Sequence, residues 1–242
     1  MVNLESTFSV SVIIPLYNGA QWIESTLQNV LDQRVNPLEI IVIDDGSQDD
    51  GASRVEQLAL QHPNLIHLYR KPNQGVAHTR NMGVQLAQGN LILLLDQDDL
   101  LLPEAIEHHL NVWQAEPTAK ATRSNEKMML AEGHSAPSWI QKEWLDVIKR
   151  GSNFSSFIFH RDLFEMVGPF DENYQMASDS DWLSRVKEHG IPFSPVDHLT
   201  VIRRIHSTNH SAQVTTAHDE LARILHASIL RRRKATPPTS EI

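Results

Sequence analysis

Short apolar runs alternate with helical-period segments through the first hundred residues of the chain. Val10 to Ile14 (VSVII) is a compact, β-branched run ending at Pro15, and Glu39 to Ile43 (EIIVI) is a second, ending at Asp44-Asp45-Gly46-Ser47. Between them Trp22, Ile23, Leu27, Val30 and Leu31 recur at helical spacing, so the pattern predicts a βαβ unit. A helix over about 53–61, a weaker strand at Leu65 to Tyr69, a helix from Gly75 to Ala87 closed by Gly89, and a strand at Leu91 to Leu95 follow. A further helix is predicted from about Pro103 to Ala115. This alternation predicts an α/β fold: a doubly wound, mostly parallel central sheet flanked by helices in a single domain. In such sheets the ligand crevice lies beyond the carboxyl ends of the strands.

The polar clusters fall at those ends. Tyr17-Asn18 follows the first strand, Asp44-Asp45-Gly46-Ser47 the second, and Asp96-Gln97-Asp98-Asp99 the run Leu91 to Leu95. Three like charges in one loop raise one another's pKa unless a cation or hydrogen-bond donors offset them. A hard divalent ion, Mn2+ or Mg2+, would do so, with one or two carboxylates completed by substrate phosphate oxygens. A solvated turn is the competing reading. An EF-hand is excluded, because Leu101 stands where that loop requires glycine and a strand precedes it. Ser47 with Asp50 three residues on has the form of a capping box for the next helix.

Composition narrows the function. The 242 residues carry a formal net charge of −9, which argues against a nucleic-acid partner, since phosphate contacts need clustered Lys and Arg. There is no cysteine, so thiolate metal sites and cysteine nucleophiles are excluded. No apolar run approaches membrane-spanning length, and the start, MVNLESTFSV, lacks a signal-peptide layout, so a cytoplasmic protein is expected.

The stretches SVIIPLYNGAQWIESTLQNVLDQ, EIIVIDDGSQDDG, NQGVAHTRNMGVQLAQGNLILLLDQDD and VGPFDENY, in this order and spacing from about Ser9 to Asp181, resemble family 2 glycosyltransferases with the GT-A fold. The resemblance implies inverting transfer from a nucleotide-diphosphate sugar, UDP-type favoured, to a glycan, lipid-linked or small-molecule acceptor, assisted by Mn2+ or Mg2+. It implies a nucleotide-sugar-binding half at 8–100 and an acceptor-binding half at 101–215, ahead of a C-terminal amphipathic helix and tail at 216–242. By similarity Pro15, Tyr17 and Asp45 line the nucleoside pocket, Arg80 lies close to base or diphosphate, and Asp96 addresses ribose or metal. Asp98 is the implied main metal ligand, with Asp99 a second candidate.

Inverting transfer also requires a carboxylate to take the acceptor's proton. In ASDSDWLSRVKEHG, Ser178 and Asp181 fit a capping box, which accounts for Asp181 but not Asp179. Asp179 falls on the base position of the family's acidic motif, with Ser178 replacing the acidic residue often found before it. In TVIRRIHSTNHS, a strand over 201–206 would put Arg204 and His206 on one face. That face suits diphosphate and metal, and the resemblance implies such a late histidine. His206 and His210 are four apart, but HSTNH lacks the glutamate of a zinc-protease HExxH. Residues 102–154 show few clear periods, and Trp139 and Trp144 are candidates for stacking on an acceptor sugar. Leu221, Ile224, Leu225 and Ile229 form an amphipathic pattern ending in Arg231-Arg232-Arg233-Lys234, suited to a helix C-terminus or to peripheral contact with anionic lipid. Two classes stay open: a metal-dependent transferase, and a nucleotide-sugar-binding protein that keeps the cleft without the chemistry.

Overall fold

The computed structural model describes residues 8–209 and 214–235. A disordered tail is expected over 235–242 (ATPPTSEI); His210 and all of that tail but Ala235 lie outside the described residues. In chain order the elements are β1 (Val10–Leu16), α1 (Ile23–Leu31), β2 (Glu39–Asp44), α2 (Gly51–Gln61), β3 (Ile66–Arg70), α3 (Val76–Leu86), β4 (Leu91–Leu94) and β5 (Asp99–Leu101). They continue with α4 (Ala105–Ala115), β6 (Ala121–Leu130), β7 (Ile148–Arg150), β8 (Phe157–His160), α5 (Asp162–Val167), α6 (Ser178–Glu188), β9 (Ser194–Ile205) and α7 (Val214–Ala235).

One sheet runs in the order β3-β2-β1-β4-β8-β6-β9-β5, with β7 paired beside β6. The first four strands are parallel; β8 then joins β4 antiparallel, and β6 joins β8 antiparallel. Because β9 is parallel to β6, the strands β1, β2, β3, β4, β6 and β9 share one direction and β5, β7 and β8 oppose it. The period of two along β1 sorts its side chains to two cores. Val12, Ile14 and Leu16 meet Leu27, Val30, Val55 and Trp113 on one face, and Ile13 meets Ile41, Ala77, Phe159 and Trp182 on the other. Helices therefore cover both faces. α3 packs tightly on β1, where a Cβ at Gly83 would lie 2.3 Å from Ile13 Cγ2.

Several local expectations are corrected. β1 does not end at Pro15 but runs to Leu16. Ile13 C=O takes the Leu95 N–H, so by alternation Pro15 faces the β4 side, where the ladder ends and no N–H is needed. Ser47 does not cap α2, since its Oγ accepts from Asn18 N–H at 2.9 Å and the cap residue Asp50 makes no side-chain cap bond. Ser178 and Asp181 form no capping box either: α6 follows Ala177, the Ser178 Oγ is buried without a partner, and Asp181 binds Arg185 at 2.8 Å. Ile224 alone of the predicted apolar stripe of α7 is buried, while Leu221, Leu225 and Ile229 are exposed. Arg231 is not a free end charge but pairs with Glu188 at 2.6 Å and Asp181 at 3.7 Å. No helix among the described residues is long and apolar enough to cross a membrane.

Candidate active site

The candidate crevice lies past the carboxyl ends of β1, β2 and β4. Past its last sheet residue β1 leads into Tyr17 and Asn18, and Asn18 adopts a left-handed conformation (φ 47°). Its Oδ1 accepts from Gln48 N–H at 2.8 Å, so the loops after β1 and β2 are stitched together. Gln97 grips the same turn from the β4 side, accepting from Tyr17 N–H at 2.9 Å and donating to Tyr17 O at 3.2 Å. The Tyr17 ring is left half exposed over the opening.

After β2, Asp44 Oδ1 accepts from Ser47 N–H at 3.0 Å, closing a turn in which Gly46 has φ +74°. Asp45 is buried at the rim. One of its oxygens pairs with Lys71 Nζ and accepts from Gln74 N–H at 2.8 Å; the other accepts from Gly75 N–H at 2.9 Å. A carboxylate has about four acceptor positions. Asp45 thus fixes the loop between β3 and α3 and keeps capacity for one more donor.

The acidic loop after β4 resolves its three charges by sending each to different partners. Asp96 Oδ1 meets Arg80 Nη2 at 3.0 Å, and the Arg80 guanidinium lies 5.2 Å from the Phe154 ring centre and 6.0 Å from that of Phe170. Arg80 Nε is buried without a hydrogen-bond partner. Asp98 Oδ2 lies 2.9 Å from His206 Nε2 and 3.1 Å from Asn209 Nδ2. Asp99 points inward, accepting from Asn153 Nδ2 at 2.7 Å and Ser155 Oγ at 2.8 Å. Burial, followed by the charges of Asp98 and Asp96, raises the Asp99 pKa well above the ordinary carboxylate value. Its side chain is built into the interior and does not join Asp98 at the rim.

Behind Asp98 stands a cation and an aromatic stack. Arg204 Nε donates to the Asp98 carbonyl, Nη1 to Ser25 Oγ at 2.9 Å and Nη2 to Thr26 Oγ1 at 2.7 Å. Its guanidinium also lies 4.8 Å from the Trp22 ring centre. Burial lowers its pKa, with Asp98 and Asp99 opposing. Arg204 therefore holds the acidic loop to α1, and its fork is engaged inside the protein. His206 stacks on Trp22 at 4.6 Å, and His134 sits 5.8 Å from His206.

Asp179 occupies the first turn of α6, half-buried, with Oδ1 accepting from Ser180 N–H at 2.7 Å. Asp181 is buried and committed to Arg185. α6 is tied toward the crevice through residues 167–172: Trp182 Nε1 donates to Gly168 O at 2.9 Å, and Asn81, next to Arg80, donates to Phe170 O at 3.0 Å and accepts its N–H at 2.8 Å. Trp144 is exposed, while Trp139 packs beside Met128, Ile140 and Ile205.

Among the described residues no three His, Cys, Asp or Glu side chains are grouped to hold a metal by themselves. Asp98 Oδ2 and His206 Nε2 nonetheless form a hard-oxygen and imidazole pair with Asn209 Nδ2 3.1 Å from each. That donor set fits a divalent ion whose other ligands come from diphosphate and water. Sequence reasoning missed Lys71, Gln97, Asn153 and Ser155. Lys71 lies just beyond the carboxyl end of β3, and Gln97 lies between the aspartates.

Comparisons with known proteins bear on the family and the fold. An uncharacterized glycosyltransferase of Rickettsia felis is 26% identical over 233 residues, covering 91% of this chain and 38% of its own length. Chondroitin synthase of Pasteurella multocida is 28% identical over 208 residues, 84% of this chain and 21% of that protein. The chain thus spans well under half of these two relatives. Among solved structures, the mannosyltransferase PcManGT from Pyrobaculum calidifontis, in complex with GDP-Man and Mn2+, superposes with a TM-score of 0.69 at 21% identity, covering 94% of this chain and 66% of that one. S. aureus TarS in complex with UDP-GlcNAc gives 0.66 at 19% identity, covering 85% and 61%. These structures share the GT-A fold. The sequence model of glycosyl transferase family 2 matches residues 11–168, and the chain belongs to that family.

Proposed function

We propose that this glycosyltransferase moves a sugar from a nucleotide-diphosphate donor to an acceptor hydroxyl with inversion, in a divalent-metal-dependent reaction. The observation that carries the reading is that Asp45, Asp96 and Asp98 follow the carboxyl ends of β2 and β4, the last two paired with Arg80 and His206, in loops tied to the one after β1 through Asn18 and Gln97. The donors bound by the structural relatives, UDP-GlcNAc and GDP-Man, support a nucleotide diphosphate sugar here.

Pro15 and Tyr17 form one wall of the nucleoside pocket, and Asp45 offers its remaining acceptor position to a base N–H. Arg80 and Asp96 address the ribose and diphosphate. Asp98 and His206 hold the metal, Mn2+ in keeping with the PcManGT complex, or Mg2+. When bound, such an ion neutralises charge on the departing diphosphate. Arg204 acts on the nucleotide side by fixing the Asp98 loop. Asp179 takes the proton of the attacking hydroxyl at the face opposite the leaving group; Asp181 is unsuited, since its carboxylate is held by Arg185. Residues 8–100 serve the donor and 101–215 the acceptor, which is a glycan, a lipid-linked glycan or a small molecule.

Turnover of a panel of nucleotide sugars with Mn2+ tests this. Asp98→Ala and Asp179→Ala each reduce the transfer rate by about 10²–10⁴-fold while circular dichroism stays native. Native-like turnover in both variants overturns the assignment.

A further inference from the structure

The residues after the family match end at Gly168 include a clamp that the transferase chemistry above does not use. Glu220, on α7, is buried, and its carboxylate accepts three successive backbone N–H groups: Gln175 at 2.8 Å on one oxygen, Met176 and Ala177 at 2.8 Å each on the other. These are the residues leading into α6, whose cap residue Ala177 makes no side-chain cap bond. A carboxylate from another helix therefore organises the turn that a capping side chain would ordinarily organise. Asp179 stands two residues beyond Ala177, with its own carboxylate aligned by Ser180 N–H. Ile224, one helical turn after Glu220, packs against Tyr174 and Ala177, fixing the same segment by apolar contact. Burial pushes the Glu220 pKa up, but the three N–H bonds hold it below the ordinary value, so the charged form that accepts all three persists.

We propose that Glu220 is a positioning residue for the base, through which α7 sets the orientation of Asp179 relative to the bound donor. The inference rests on the reading of Asp179 as base. The three hydrogen bonds that Glu220 accepts go to the α6 entry, while the proposed nucleotide groups lie at the ends of β1, β2 and β4 and on α3, so the two functions separate.

Steady-state kinetics and nucleotide titrations of Glu220→Ala, Glu220→Gln, Asp179→Ala and the double variant Asp179→Ala/Glu220→Ala provide the test. Glu220→Ala lowers kcat about tenfold to a hundredfold, the size expected for a misplaced reacting group. Donor KM and nucleoside-diphosphate affinity change by less than about twofold, and Glu220→Gln, which keeps one acceptor oxygen, recovers part of the rate. In the Asp179→Ala background the Glu220 substitution adds less than about twofold, because the group it positions is gone. Unchanged kcat in a folded Glu220→Ala protein, a parallel loss of nucleotide affinity, or the same fold-loss with and without Asp179 overturns the inference. Where Glu220→Ala does not fold, Glu220→Gln is judged by the same criteria. Wild-type kcat in Asp179→Ala overturns the base reading itself, which the single Glu220 variants do not address.

Discussion

The two ends of the sheet reach the same crevice by different means. Across β2, β1 and β4 the strands are mostly apolar and buried, with polar members only near strand ends at Ser11, Glu39 and Asp44, and the candidate site residues Tyr17, Asp45 and Asp96 come after the strands stop. From β6 to β5 the strands themselves carry the polarity: Thr122, Ser124 and Glu126 on β6 and Thr200 on β9 are fully buried. They are satisfied within the protein. Ser124 and Thr200 share a hydrogen bond at 2.5 Å, and Glu126 accepts from Ser152 Oγ at 2.9 Å and Asn153 N–H at 3.2 Å. The first end is held by hydrophobic burial and positions its chemistry at strand termini; the second is held by a buried polar network reaching Asp99 through Asn153.

That contrast is open to attack at each end. Ile14→Ala, in the apolar end, removes buried methyl and methylene groups and lowers unfolding free energy by about 2–5 kcal/mol. Glu126→Leu, in the polar end, keeps the volume but strips the acceptor from Ser152 and Asn153, and costs about 1–3 kcal/mol. Urea melts of both variants check the pair; a neutral or stabilising Glu126→Leu would mean that the polar end is held by packing after all.

An effect spread over pH sharpens the same distinction. His109 is buried against Thr122 Oγ1 at 2.7 Å, and burial, with a contribution from His108, lowers its pKa from 6.5 to about 3. Between those values the unfolded chain takes up the proton and the folded one does not. This contribution to stability therefore falls as pH drops from 6.5 to about 3, by at most about 1.4 kcal/mol per pH unit. Asp99 has the opposite sign. Its raised pKa means the folded state holds the proton longer, so its contribution falls as pH rises above 3.8 and levels off beyond the folded-state pKa. Melting temperatures of His109→Gln against pH should lose the acid-side slope, and those of Asp99→Asn the opposing one. If both variants retain the wild-type profile, neither group is buried as described.

The same physics explains what the sequence disclosed. Apolar runs made β1, β2 and β4 visible, and the rule that ligands gather past strand ends drew attention to Asp45, Asp96 and Asp98 before any coordinates. β6 was invisible because its inward positions are Thr, Ser and Glu, which erase the alternation that marks a half-buried strand. β5 is hidden because it begins at Asp99, a residue read as part of the acidic loop and as a second metal-ligand candidate. Arg204 and His206 were placed on one face by a period of two, but that Arg204 would bind Asp98 O, Ser25 and Thr26 depends on contacts about a hundred residues or more away in the chain. Glu220 gave no signal, since one acidic residue on an exposed-looking helix carries no mark of the backbone it clamps.

The central claim is that the acidic rim between β1 and β4 takes up a nucleoside diphosphate together with a divalent ion held at Asp98. Isothermal titration calorimetry of UDP and GDP, with and without Mn2+, tests it most directly. Mn2+ should tighten binding of at least one of them to the wild-type protein by about tenfold or more, which is about 1.4 kcal/mol, and Asp98→Ala should abolish that gain. Equal binding with and without the ion, or an undiminished gain in Asp98→Ala, would contradict the account.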